Sequence, residues 1–118
     1  MDRNICICQD FLTDAHKAQI TAAAEAAGMV PHFFTTDQTQ EAKDCLQSCE
    51  VLYAGSPDLL RAAPASLKWY CAASAGVDVY CKDDSLFANP DCLLTNSNAY
   101  GVTIAEHTVM VTIMLLRH

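Results

Sequence analysis

Two short stretches carry the residue types able to do chemistry: Ser74-Ala75-Gly76-Val77-Asp78, and Tyr100-Gly101-Val102-Thr103-Ile104-Ala105-Glu106-His107. In the first, Gly76 can adopt dihedrals closed to other residues and lets backbone approach a ligand. The N–H groups of Ala75, Gly76 and Val77 could then form a small concavity for an anion, and a carboxylate would fit. The alternative reading is a tight turn that serves no ligand and only closes the local fold. In the second stretch, Thr103 and Glu106 stand at capping-box spacing, where hydroxyl and carboxylate satisfy backbone donors at a helix start. That makes Glu106 structural first, and leaves His107 a packed or solvent-facing helix residue. Tyr100, at a loop apex, can reach into a crevice or simply pack.

Neither stretch assembles a nucleophile, a base and an orienting group. No G-x-G-x-x-G follows a strand-like run, and there is no Walker loop and no G-x-S-x-G elbow. His16 and His32 stand alone. Of the seven cysteines, Cys6 and Cys8 alternate inside an apolar run, and Cys45 and Cys49 share a helical stripe. These are positions where a free thiol acts as a small hydrophobe. With no C-x-x-C pair and no His at ligand spacing, metal binding is not expected and a reducing cytoplasm is. A net charge of -7 opposes phosphate backbones and acidic membranes, so neither nucleic acid nor membrane is an expected partner. The most apolar stretch, residues 109–116, falls far short of the roughly 20 residues a membrane span needs. Met1-Asp2-Arg3 runs straight into a strand pattern, which points to no secretory signal.

The elements that must position these stretches read as alternating strands and helices. At 118 residues the chain makes about one domain. Its 52% hydrophobic and 18% charged residues are the balance of a globular one. Residues 4–8 form a β-branched apolar run, the pattern of a central parallel strand. Thr13 offers an N-cap, alanines recur to Ala27, and Gly28 supplies the stop. Residues 30–35 read as a strand whose Pro31 suits an edge. Asp37 can cap a second helix with Ala42, Cys45, Leu46 and Cys49 on one face. Further strands are expected at 51–54, 67–72 and 93–96, with Ser56 and Pro57 opening a short helix between the first two. The connection 79–91 should include a short helix around Cys81, Leu86 and Phe87. This alternation predicts an α/β fold: a flavodoxin-like, doubly wound parallel sheet of about five strands with helices on both faces. Ligands in such sheets bind beyond the carboxyl ends of the strands, where the turns 54–56, 74–77 and 96–101 should converge. The helix from Thr103 is apolar nearly all round and still running at His118, so a fragment is expected.

Leu67-Lys68-Trp69 through Ser74-Ala75-Gly76-Val77-Asp78, followed by Leu94-Thr95-Asn96 and then Tyr100-Gly101-Val102-Thr103-Ile104-Ala105-Glu106-His107, resembles the D-isomer-specific 2-hydroxyacid dehydrogenases. The match is to their N-terminal substrate-binding (catalytic) domain. The resemblance implies a full enzyme that transfers a hydride between NAD(P)H and a small 2-oxo/2-hydroxy acid. It implies substrate-binding roles for Ala75, Gly76 and Val77 at the carboxylate, for Tyr53, Ala54, Gly55 and Ser56 at the side-chain pocket, and for Tyr100. It places Thr103 near the nicotinamide of NAD or NADP. It makes residues 1–118 a substrate domain, with 103–118 the start of the crossover helix toward a cofactor domain and of a homodimer contact. The family's catalytic Arg, Glu and His belong to that second domain, so no catalytic residue is assigned within this chain and inactivity alone is expected. Two alternatives are a natural noncatalytic 2-oxo-acid-binding or regulatory paralogue and a receiver-type signalling module. The latter lacks support, since Cys8-Gln9-Asp10 offers one acid and Ala54-Gly55 replaces the acceptor Asp.

Overall fold

The structure, a computed structural model, describes residues 3–117. Met1, Asp2 and His118 lie outside it, and with them the start of the supposed leaderless N-terminus and the last residue of the expected C-terminal helix. The β-branched run near the N-terminus forms strand β1 (Arg3–Cys8), joined by β2 (Met29–Phe34), β3 (Cys49–Ala54), β4 (Trp69–Ala72) and β5 (Leu93–Thr95). They make one five-stranded sheet in the order β2-β1-β3-β4-β5, with every pair parallel. Thus β1 is internal and Pro31 lies on an edge strand, where its missing N–H leaves no gap in an inner ladder. The strand order reverses between β1 and β3, and their ends at Cys8 and Ala54 lie side by side.

Five helices connect or follow the strands: α1 (Asp14–Ala26), α2 (Thr39–Leu46), α3 (Pro57–Arg61), α4 (Asp78–Cys81) and α5 (Gly101–Leu116). A 3₁₀ turn over Asp84–Leu86 completes the long connection. Thr13 caps α1 as its type dictates, with His16 reciprocating: the His16 N–H donates to Thr13 Oγ1 and the Thr13 N–H to His16 Nδ1, each at 3.2 Å. The chain leaves α1 through Gly28 at φ 70°, the left-handed region open to glycine. Ser56 caps α3 with Pro57 at its first position. Asp37 does not cap α2. It accepts the Thr35 hydroxyl instead, while Gln38 Oε1 takes the Thr35 N–H at 3.0 Å. The helix therefore starts after Gln38 without a side-chain cap.

Burial alternates with a period of two along β4 and at the end of β3, whereas Cys6, Ile7 and Cys8 of β1 are all buried. Cys6 and Cys8, Leu52 and Ala54, Tyr70 and Ala72 are buried on one face, under Ala42 and Leu46 of α2 and Leu59 and Leu60 of α3. Apart from Ile7, the alternate residues meet less cover. Lys17 of α1 lies 5.8 Å over the Phe33 ring, but Trp69 and Leu93, paired in register, are 40% and 66% exposed. Helix α5 has no buried residue at all. It stretches the molecule to 62 × 35 × 26 Å with a radius of gyration of 17.2 Å, against about 13.5 Å for a compact chain of this length. Among the described residues no helix is long and apolar enough to cross a membrane.

Candidate functional site

The turn 73–77 leaves the carboxyl end of β4 with the carbonyls of 74–77 engaged and the N–H groups of 75–77 open. The Ser74 hydroxyl donates to the Gly76 carbonyl at 2.8 Å, Asn96 Nδ2 donates to the Ala75 carbonyl at 2.7 Å, and the Ser97 N–H donates to the Ser74 carbonyl at 3.2 Å. The Val77 carbonyl takes N–H groups of Tyr80 and Cys81 at the start of α4. Among the described residues no acceptor meets the N–H groups of Ala75, Gly76 or Val77. Ser74, Ala75 and Gly76 are exposed, with Val77 half-buried against the core. Gly76 does not use a positive φ, contrary to the expected reason for its presence, since Gly28 alone does so among the described residues. A Cβ on Gly76 would meet nothing within 4 Å, so glycine here leaves open space above the peptide groups.

Two tyrosines that motif spacing left unassigned anchor this turn. Tyr70 Oη donates to the Ala54 carbonyl at 3.1 Å and to Tyr80 Oη at 2.9 Å, its one proton shared between them, the rings meeting edge-on at 5.0 Å. Burial, then the Tyr80 hydrogen bond, holds the Tyr70 phenol far above its ordinary range. Because Tyr80 sits in α4, directly after the turn, this pair fastens the turn to the ends of β3 and β4. A tyrosine inside the otherwise apolar β4 run was the available signal, since a buried phenol has to find a partner.

The turn after β3 lies next door. The Ala54 carbonyl also accepts the Ala73 N–H at 3.2 Å, and a Cβ on Gly55 would stand 3.9 Å from Ala73 Cβ and 3.9 Å from Gln9 Nε2. Ala54, Gly55 and Ser56 line a crevice of about 370 Å³ over the ends of β1 and β3, together with Cys8, Gln9 and Thr36. Ala75, Gly76, Val77, Tyr100 and Thr103 lie outside its lining. Tyr53 alternates with the buried Ala54 and so points to the other side of the sheet. Its phenol is raised above the usual value by burial and then by the nearby Cys71 and Tyr100. Tyr53 and Tyr100 both lie outside the lining of the crevice.

Thr103 is exposed in the third position of α5. The expected capping box with Glu106 does not form. The turn in which the Gly101 N–H reaches the Asn98 carbonyl already winds the chain, so the helix begins at Gly101 with Tyr100 as its uncapped N-terminal residue.

The described residues offer little to a dinucleotide or a metal. The connection from β1 to α1 contains no glycine, and the α1 start, where a pyrophosphate would sit, is filled by the Thr13–His16 cap. No group of three or more His, Cys, Asp and Glu side chains among the described residues could hold a metal ion. The cysteines are all free. Burial pushes the Cys6 thiol far up and Cys49 to about 12, which suits packing and not nucleophilic work. Comparison of the chain with protein-family models, curated proteins and solved structures gives no match.

Proposed function

We propose that residues 1–118 are the substrate-binding part of a D-isomer-specific 2-hydroxyacid dehydrogenase, built on a flavodoxin-like, doubly wound sheet. The reading is carried by one observation: three consecutive peptide N–H groups, 75–77, lie without acceptors at the carboxyl end of a parallel strand, in the segment whose sequence resembles that family's carboxylate turn. A 2-oxo or 2-hydroxy acid carboxylate on these donors would satisfy them by charge-assisted hydrogen bonds, which are about twice as strong as neutral ones. Ser74 and Asn96 would hold the turn in its receptive form by occupying its carbonyls. Ala54, Gly55 and Ser56 would shape the space for the substrate's side chain, with Tyr53 and Tyr100 flanking it from the other side of the sheet edge.

Hydride transfer belongs to NAD or NADP on a second domain, outside these 118 residues. Within this reading α5 begins the crossover to that domain and contributes to a homodimer, with Thr103 facing the nicotinamide side. Its unburied apolar surface, with Trp69 and Leu93, supports a role in covering or being covered by other protein.

Titrating the chain with pyruvate and with oxalate while following backbone amide resonances tests the proposal. Saturable shifts centred on Ala75, Gly76 and Val77, with no NADH oxidation by this chain alone, are the expected result. Shifts confined to other surfaces, or none at tens of millimolar ligand, would overturn it.

A further inference from the structure

Gln9 directly follows β1 and is only 8% exposed, unusual for a residue type that is seldom buried without partners. Its backbone is satisfied, the N–H donating to the Phe34 carbonyl at 3.0 Å. Its side chain is not: Nε2 is sealed from solvent and has no partner among the described residues. Native buried polar groups are nearly always paired, so this amide calls for an occupant.

The surroundings indicate which kind. Gln9 lines the crevice of about 370 Å³ at the reversal of strand order, within the volume range of small-ligand sites. The torsion that orients a carboxamide is soft and two-fold, so an acceptor in the crevice can draw the N–H end toward it by a half-turn, the oxygen then taking the sealed place. Thr36 and Ser56 add hydroxyls, and no lysine or arginine lines the space. The carboxylate that does line it, Asp58, is tied to Arg61 at 3.0 Å, and Asp10 lies just behind Thr36, accepting its N–H at 2.7 Å. A second anion is therefore unwelcome, while a neutral oxygen acceptor is matched.

The crevice also adjoins the carboxylate turn. A Cβ on Gly55 would stand 3.9 Å from both Gln9 Nε2 and Ala73 Cβ, and Ala73 opens the turn 73–77. Strands about 4.8 Å apart place the ends of β1 and β4 about 10 Å from each other. With Gln9 reaching over β3, a substrate of roughly five or six chain atoms bridges the remainder.

We infer that Gln9 sets substrate specificity: the acid bound here carries, at the far end of its side chain, a neutral carbonyl, ether or hydroxyl oxygen that accepts from the Gln9 amide. This rests on the carboxylate-turn reading above and names its substrate class.

Three probes of equal reach separate the possibilities: 5-methoxy-2-oxopentanoate, its all-carbon isostere 2-oxoheptanoate, and the dianion 2-oxoadipate. Each is titrated into the chain while the amides of 75–77 and the side-chain NH2 of Gln9 are followed. The ether is expected to bind about two- to tenfold more tightly than the isostere, the range of one net hydrogen bond, with the Gln9 NH2 signals shifting only for the ether. Gln9→Leu and Gln9→Met, each shown to be folded by its amide spectrum, should abolish the preference. Equal affinities for ether and isostere, with Gln9 unmoved, would overturn the inference, leave the carboxylate turn standing, and assign the Gln9 amide to a buried water. Tighter binding of 2-oxoadipate would overturn the neutral-tail assignment. Silence of 75–77 toward all three would instead overturn the carboxylate-turn reading, and this inference with it.

Discussion

Asn96 reaches back 21 residues to the Ala75 carbonyl, and this bond decides which way the peptide groups of the turn present their N–H. Replacing Asn96 with Ala frees that carbonyl at an exposed site, where a lost hydrogen bond costs about 0.5–1.5 kcal/mol. Asn96→Ala is therefore expected to weaken 2-oxo acid binding about three- to tenfold with little change in thermal midpoint, checked by amide titration beside calorimetry. Tyr70 answers to a different measurement, because its hydroxyl is buried. In Tyr70→Phe the Tyr80 hydroxyl loses its hydrogen-bond partner, whereas the Ala54 carbonyl keeps the Ala73 N–H. A loss of about 1–2 kcal/mol follows, seen as a lower urea midpoint at unchanged slope. Neither role could be read from the motif. Asn96 and Tyr70 are ordinary residues for their loop and strand, and only the fold brings them to the turn.

Elements built from local signals match their sequence patterns most closely. Thr13, Ser56 with Pro57, and Gly28 each act through their own backbone neighbours, so their types suffice to mark the ends of α1 and α3. The capping box proposed at Thr103 and the cap proposed at Asp37 fail for the complementary reason. Nearby residues, the turn 98–101 in one case and Thr35 with Gln38 in the other, compete for the same groups. Between elements, the thiol seam joining β1, α2 and β3 has its own test. Cys45 Sγ and Cys49 Sγ lie 3.8 Å apart, Cys6 donates to the Ala42 carbonyl at 3.7 Å, and burial holds Cys6 and Cys49 protonated in the folded chain. Unfolded thiols ionise near 9, whereas Cys49 in the fold waits until about 12. Above pH 9 the folded chain thus binds more protons than the unfolded one, and stability falls as pH rises. The slope is about 1.4 kcal/mol per pH unit for each thiol that ionises only on unfolding. Urea midpoints should be flat in this respect below pH 9 and decline from 9 toward 12. Cys49→Ala should flatten that decline, beside a loss at neutral pH from the vacated space.

At the scale of the molecule, α5 extends from the sheet with Val109, Met110, Ile113 and Met114 between 49% and 59% exposed. We propose that this apolar helix, about 24 Å long and without cover among the described residues, is an association surface. The chain is expected to associate in a concentration-dependent way in sedimentation runs. Val109→Lys with Ile113→Lys should shift it toward monomer without changing the amide pattern of residues 73–77. What the sequence by itself determined is whatever depends on neighbours a few residues away: five strands by apolar runs, the starts of α1 and α3 and the stop of α1 by cap chemistry, and the open turn after β4 as a candidate anion site. Only the tertiary structure decided that Asn96 and Tyr80 hold the turn, and that the Gln9 amide is buried beside it without a partner among the described residues. Strand order and register settle those facts, and they arise from contacts between residues tens of positions apart, which local propensity does not encode.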